Sequence, residues 1–235
     1  MTRFNAAFFV LILAIGLWTA PVFAGELPFV PGEKIHYSVK QGMFKAGNAV
    51  LEFKGDAYLE GKKYTLITFL AKGFNFYDEE RIYADPVTLL PQKVMRDLNI
   101  FGNKENIMEE YSFKDSFIRI TKVAGGKTTI QDISITNSSA TDNIYTFLYR
   151  TRLQEEIKVG KVVDLQLPTL TLKFQGVQQV SFNALGKKYQ SVMFRSVPAK
   201  YTLWFDPGPQ KLPLRISGAL GISNTVMVIT GYEPK

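Results

Sequence analysis

Apolar and polar residues alternate along most of this chain, and the alternation is interrupted roughly every ten residues by Gly, Pro, Asp or Asn. Lys34 to Val39 (KIHYSV) is one such stretch. Phe117 to Val123 and Thr128 to Ile135 are two more, and they flank Gly125-Gly126, a strong hairpin signal. Because a period of two places successive side chains on opposite faces of a strand, the pattern predicts antiparallel strands joined by short turns.

One segment departs from this alternation and has helical spacing. Thr141-Asp142-Asn143 offers side chains that cap a helix N terminus, and Arg150 and Arg152 fall near the far end, where the helix dipole favours cations. We predict one amphipathic helix over residues 142–153, with about eight strands before it and about seven after it. The residues of its apolar stripe are Ile144, Phe147, Leu148 and Thr151.

A sheet this long must close, split into a sandwich or curl around something, because its edges and its apolar face need cover. A single helix in mid-chain suits a curled sheet, since its apolar stripe covers what the sheet leaves open. The fold is therefore predicted to be mainly β: a strongly curved antiparallel sheet, like a half-barrel, packed on helix 142–153. A β-sandwich is the alternative. The polar segment Ser134 to Thr141 could divide two subdomains, but no shift in composition supports a division, and residues 25–235 are expected to form a single domain.

The first residues have the three parts of a secretory signal. Arg3 is the only charged residue before Glu26, Phe8 to Trp18 is unbroken apolar sequence, and Val22-Phe23-Ala24 supplies a small-residue exit. We therefore predict a signal peptide over residues 1–24, cleaved after Ala24, and a periplasmic location. No later apolar run approaches the length of about 20 residues that spans a membrane, so no transmembrane span is expected after cleavage.

Composition excludes several classes of protein. There is no cysteine, which excludes disulfides, thiol catalysis and thiolate metal sites. The net charge is +7, but the Lys and Arg residues are scattered rather than arranged in a stripe, so nucleic acid is not an expected partner. A weak attraction to anionic lipid surfaces remains open.

Three stretches together carry a resemblance to a known family. They are Phe29 to Val39 (FVPGEKIHYSV) followed by Gly42 and Lys45 to Ala49 (KAGNA), then Asp142 to Arg150 (DNIYTFLYR), and finally Leu203 to Asp206 (LWFD) followed by Leu212 to Ile216 (LPLRI) and Leu220-Gly221. In order and spacing the chain resembles the bacterial envelope family catalogued as domain of unknown function 3108. The resemblance implies an envelope location and a mostly β fold. It implies no activity and therefore no catalytic residues.

The chain offers little catalytic chemistry. His36 is the single histidine and lies on the polar side of its predicted strand, so it is expected to be structural. Asp78-Glu79-Glu80 could serve glycoside hydrolysis, or could bind calcium together with Asp85, but a solvated junction between a loop and a strand is the favoured interpretation. We predict no catalytic residues, no metal site and no cofactor.

Aromatic residues make up 13% of the chain, and several do not fit the simple alternation of inward and outward positions. Residues 73–77 place three of them in a predicted loop, and two more are expected beside the apolar stripe of the helix. Such residues usually belong to a core, but a half-barrel also has a concave mouth that could hold a ligand. The predicted groove residues are Phe74, Phe76, Tyr77, Tyr145, Tyr149 and Trp204.

Three functions remain open at this point. The favoured one is a non-enzymatic periplasmic binding or carrier protein for an apolar or amphiphilic ligand, such as a lipid or an acyl chain. The alternative is a structural or assembly partner of other envelope proteins that acts through protein–protein contacts. A hydrolase that uses the Asp78-Glu79-Glu80 region ranks last, because no nucleophile, base and orienting group can be assembled from these motifs.

Overall fold

The computed structural model describes residues 28–135, 141–218, 220 and 224–235. The predicted signal peptide, residues 1–24, lies outside the described residues, as do residues 136–140 of the polar segment. Eight strands come first: β1 (Glu33–Gln41), β2 (Phe44–Leu59), β3 (Lys62–Gly73), β4 (Phe76–Ala84), β5 (Pro91–Ile100), β6 (Asn103–Ser112), β7 (Phe117–Ala124) and β8 (Lys127–Ser134). The helix α1 (Ile144–Arg152) is followed by β9 (Val162–Leu167), β10 (Leu170–Ala184), β11 (Lys187–Val197), β12 (Thr202–Phe205), β13 (Pro213–Ser217) and β14 (Thr225–Glu233).

The fourteen strands form one curved antiparallel sheet that is not closed, in the order β8-β7-β6-β5-β4-β3-β2-β1-β14-β13-β12-β11-β10-β9. The predicted fold class is confirmed. The alternative of a β-sandwich is wrong, because all of these strands belong to a single hydrogen-bonded sheet. No helix within the described ranges is both long enough and apolar enough to cross a membrane.

The turns lie where the turn residues predict them. Gly125 and Gly126 join β7 to β8, and both have the positive φ angles, 55° and 75°, that a tight hairpin turn requires. Asp206 begins the connection from β12 to β13, and its carboxylate accepts a hydrogen bond from the backbone N–H of Gly208. His36 lies on the polar side of β1, as predicted, with its Nε2 2.8 Å from Glu233 Oε1.

The helix lies against the buried face of the sheet and contacts both halves of it. Tyr145 stacks on Phe69 of β3, with ring centroids 4.0 Å apart, and Phe147 stacks on Phe174 of β10 at 5.1 Å. Because β3 and β10 lie in opposite halves of the sheet, the helix fills the space between those halves. The helix therefore covers the open side of the curled sheet, as the sequence predicts, and in this sense it plugs the sheet.

The ends of the helix agree with the predicted range of 142–153, but its faces do not. Asn143 is the N-cap, its side chain accepts a hydrogen bond from the Tyr145 N–H at 2.8 Å, and Leu153 is the C-cap. The expectation that Tyr145 and Tyr149 lie beside the apolar stripe is wrong, because both are fully buried. A helix enclosed by a curled sheet is covered on nearly all sides rather than along one stripe.

A buried ion pair joins the C-terminal end of the helix to the start of the sheet. The Arg152 guanidinium donates to the Glu33 carboxylate at 2.5 and 2.9 Å, and neither side chain is exposed to solvent. The same guanidinium donates to the carbonyl oxygens of Pro28 and Gln210, and Tyr232 donates to Glu33 at 3.0 Å. Every charged group in this cluster therefore has hydrogen-bond partners, which is the condition under which a buried ion pair is tolerated.

Candidate functional site

The buried face of the sheet changes from apolar to charged on β4 and β5. Residues 78, 80, 82 and 84 alternate onto this face, and Asp78 and Glu80 are as buried as the apolar residues beside them. Arg96 lies opposite Glu80 in the register of β4 and β5. Its guanidinium donates to both oxygens of Asp78, at 2.8 and 2.6 Å, and lies 3.2 Å from Glu80 Oε1.

The N terminus of the helix adds an amide and a third carboxylate to this cluster. Asn143 donates from Nδ2 to Glu80 Oε2 at 3.0 Å while its own Oδ1 caps the helix. Asp142 accepts hydrogen bonds from Thr146 and Arg150, both at 2.5 Å. The cap of the helix and the charged patch of the sheet are thus one connected hydrogen-bond network.

A cavity of about 190 Å³ opens onto this network. Its charged lining residues are Glu80, Arg96, Glu109 and Asp142. Its aliphatic lining residues come from both halves of the sheet and include Val94, Ile107, Ile120 and Leu167; on β5 and β6 they alternate with the charged ones, since Val94 pairs with Glu109 and Arg96 with Ile107. This mixture of charged groups and aliphatic side chains makes the cavity the candidate site, since ligand pockets combine an apolar lining with a few placed polar groups.

Burial alters the acidity of the carboxyl groups in the cavity. The pKa of Glu80 is raised to about 7, chiefly by burial and also by the negative charge of Asp78, while Arg96 and the hydrogen bond from Asn143 oppose the shift. Burial also raises the pKa values of Glu109 and Asp142. Strongly shifted carboxyl groups in a cleft are physical markers of functional sites.

Stability should depend on pH through Glu80. Between its ordinary pKa of 4.5 and its folded pKa of about 7, the folded state binds more protons than the unfolded state. The resulting stabilisation is full below about pH 4.5 and is lost as the pH rises through about 7, and at about 1.4 kcal/mol per pKa unit it amounts to about 3 kcal/mol.

Replacing Glu80 by Gln should remove this dependence, so the variant should gain stability relative to wild type as the pH rises, as measured by urea unfolding at pH 4.5, 6 and 8. Glu79→Gln, on the opposite face of β4, is the control and should follow the wild-type curve. Parallel curves for wild type and Glu80→Gln would contradict the assignment.

The acidic run Asp78-Glu79-Glu80 is not the solvated junction that the sequence favours. All three residues belong to β4, Asp78 and Glu80 are buried, and only Glu79 points to the other face, where it accepts a hydrogen bond from the Tyr77 hydroxyl. Asp85 lies in the turn after β4, where its carboxylate accepts from the backbone N–H groups of Val87 and Thr88. Across residues 28–135, 141–218, 220 and 224–235, no group of three or more His, Asp or Glu side chains is arranged to hold a metal ion.

The predicted groove aromatics of the β3–β4 region are spread along one hairpin. Phe74 lies in the turn and is 96% exposed, whereas Phe76 and Tyr77 are half-buried at the start of β4. The sequence places all three in a loop, but only Phe74 is there, because the β4 strand begins earlier than the acidic run suggests.

The other three predicted groove residues lie elsewhere in the fold. Tyr145 and Tyr149 pack inside the core around the helix, and Trp204 is half-buried in β12 with the Arg215 guanidinium 4.5 Å from its ring centre. The six aromatics therefore do not share one surface. Contact between a ligand and these residues stays a prediction.

The sequence prediction missed most of the residues that line the cavity, and among the charged ones it offered only Glu80 as a site residue, in the acidic run considered for hydrolysis. Arg96, Glu109, Asp142 and Asn143 come from β5, β6 and the helix cap, and no short motif connects them. The one local signal is the period of two in Asp78, Glu80 and Ile82, which places two carboxylates on the same face as an apolar residue.

Comparison with known proteins gives this chain no relative: no family model, no curated protein and no solved structure matches it, and the resemblance to domain of unknown function 3108 stays a prediction.

Proposed function

We propose that this chain is a non-enzymatic periplasmic binding or carrier protein for a small amphiphile, which it holds in the cavity between the helix cap and β4–β7. The observation that carries the proposal is the mixed lining, in which a buried polar network, with Glu80 at a pKa of about 7, lies beside aliphatic side chains. An amphiphile suits both kinds of lining residue, because its polar head takes hydrogen bonds and its tail removes apolar surface from water.

The charges that line the cavity favour one kind of head group. Three carboxyl groups (Glu80, Glu109 and Asp142) face it, against one guanidinium, that of Arg96. Arg96 is already bound to Asp78 and Glu80, so little positive charge remains for an anionic ligand. An amine or hydroxyl head group can donate hydrogen bonds to these carboxyl oxygens, whereas a carboxylate head would face like charges.

The size of the cavity limits the tail. At about 190 Å³ it is close to the engineered cavities of about 150 Å³ that hold one benzene molecule. A short alkyl chain or a single ring fits this volume, and a full-length acyl chain extends out of it. Each methylene that enters should strengthen binding by about 0.8 kcal/mol, which is about fourfold in affinity.

The test is a calorimetric titration at pH 8 with straight-chain amines, alcohols and carboxylates of matched length. We expect the amines to bind most tightly, with affinity rising about fourfold per methylene and then reaching a plateau when the cavity is full. Below about pH 7 the preference for amines should shrink, because Glu80 becomes protonated and loses its charge. Glu80→Gln should reduce the preference at pH 8, whereas Glu79→Gln, outside the cavity, should leave it unchanged.

Two outcomes would count against the proposal. If no series shows saturable binding, or if Glu79→Gln and Glu80→Gln act alike, the cavity is not a ligand site.

The alternative function, an assembly partner in the envelope, would then become the better explanation. It is favoured by strand β8, an edge of the sheet whose residues are nearly all exposed, including Ile130. An exposed edge strand can pair with a strand of another protein.

A further inference from the structure

Four hairpin turns lie together at one end of the sheet. In an antiparallel meander, the turns after β1, β3, β5 and β7 all fall at the same end. Two of these turns touch directly, since the Phe101 N–H donates to the Asn75 carbonyl oxygen at 2.8 Å, and the β3–β4 turn begins beside β2, where Gly47 pairs with Gly73. We call this region, residues 40–45, 72–76, 99–104 and 123–127, the basic end.

The basic end presents large apolar side chains to solvent. Met43 is 93% exposed, Phe44 81%, Phe74 96% and Phe101 66%. They come from three turns at the same end of the sheet, and we call these four side chains the apolar tips. Apolar groups gathered in this way mark a surface that contacts a partner or a membrane.

Lysines flank these tips, and carboxylates do not. Lys40, Lys45, Lys72, Lys104 and Lys127 are all exposed, while the four segments contain no Asp or Glu. Among the described residues, none of these five lysines forms a salt bridge with a carboxylate. Their positive charge is therefore not neutralised by the protein.

The opposite end of the same strands has a different character. Its turns carry Glu60, Asp85 and Asp115 alongside their lysines, and Glu60 lies 3.3 Å from Lys93. Exposed apolar side chains occur there as well, at Tyr58 and Val87, but among mixed charges. The combination of apolar tips with positive charge alone is thus specific to the basic end within these two sets of turns.

We propose that the basic end docks onto an anionic phospholipid surface, with the apolar tips entering the interface between head groups and acyl chains. Apolar side chains ringed by lysines complement such a surface, because the lysines approach the lipid phosphates while the aromatic and Met side chains leave water. The proposal is independent of the cavity. It assigns a membrane-facing end to the sheet.

The experiment measures cosedimentation of the protein with vesicles at 50 mM salt. Vesicles of 30% phosphatidylglycerol in phosphatidylcholine should bind the protein, and pure phosphatidylcholine should bind it at least tenfold more weakly. Phe74→Ser combined with Phe101→Asn should lower the partition coefficient at least tenfold; Asn is chosen because Phe101 has a φ angle of +50°, which Asn tolerates. Lys72→Gln and Lys104→Gln should each lower it about fivefold. Tyr58→Ser replaces an aromatic side chain that is 73% exposed at the opposite end, and it should leave the partition coefficient unchanged.

Three results would overturn the proposal. One is the absence of binding to the anionic vesicles, and another is an equal loss of binding in Tyr58→Ser. The third is a concentration-dependent dimer in sedimentation velocity that Phe74→Ser with Phe101→Asn abolishes, because it would assign the apolar tips to a second copy of the chain. Because the substituted side chains are exposed, we expect each variant to unfold at the same midpoint as wild type. Equal midpoints will show that a loss of vesicle binding is not caused by a loss of folding.

Discussion

Replacing Arg152 by Met is expected to lower the free energy of unfolding by about 3–5 kcal/mol, the usual cost of leaving a buried charge without its partner. Both Arg152 and the carboxylate of Glu33 are fully buried, and the guanidinium also supplies the hydrogen bonds to the Pro28 and Gln210 carbonyl oxygens. Methionine fills a similar volume but donates nothing, so Glu33 would keep only its hydrogen bond from Tyr232. Urea unfolding at pH 7 measures the loss.

Two further variants separate the buried pair from ion pairs in general. Arg119→Met breaks a pair of similar geometry with Asp132, with two hydrogen bonds of 2.8 Å, but that pair is exposed and screened by water, so its loss should lower stability far less than Arg152→Met does. Arg152→Met combined with Glu33→Gln should recover part of the stability, because no unpaired charge remains. If Arg152→Met were no more costly than Arg119→Met, the pair would not hold the helix to the sheet.

The second large effect is expected at Phe147, where substitution by Ala should cost about 3–5 kcal/mol. Phe147 is 3% exposed and stacks on Phe174 of β10, so its removal leaves a cavity where the helix meets the second half of the sheet. Thermal and urea unfolding, with far-UV circular dichroism to follow the strands, measure the loss.

The matched control for Phe147 is Phe74→Ala, which removes the same side chain from an exposed turn and should change stability by no more than about 0.5 kcal/mol. A loss below about 1 kcal/mol at Phe147 would mean that the helix does not plug the sheet. The two variants also separate membrane binding from folding. Phe74→Ala should weaken vesicle binding without altering stability, whereas Phe147→Ala should lower stability without weakening the vesicle binding of the folded protein.

The elements that the sequence predicts well are those whose causes are local. Turn residues such as Gly125-Gly126 fix where a strand stops, and the alternation fixes which face each residue takes. The N terminus of the helix is predicted correctly because the candidate capping side chains Thr141-Asp142-Asn143 are local, and in the structure Asn143 is the N-cap and forms a capping box with Thr146. Which strands become neighbours at the centre of the sheet has no such local signal.

The candidate site was beyond prediction for a different reason. Charged side chains are rarely buried without a partner, so the run Asp78-Glu79-Glu80 favours a solvated position until Arg96 is known to lie across from it. That register depends on how β4 and β5 are joined, and the contact from Asn143 depends on where the helix docks. The aromatic excess shows the same limit, since spacing on the helix does not reveal that a sheet encloses Tyr145 and Tyr149 on every side.

The pairing of β1 with β14 also bears on how the chain can fold. Every other pair of neighbouring strands is consecutive in sequence and closes only the loop between them, whereas Lys34 opposite Glu233 closes almost the whole described chain. Loop-closure entropy makes such long-range contacts late events. Strands β1–β8 and β9–β13 can each form as local hairpins, but they remain two sheets with open edges at β1 and β13 until β14 joins them. Loss of β14 would therefore expose two aggregation-prone edges at the place where the complete sheet has its centre.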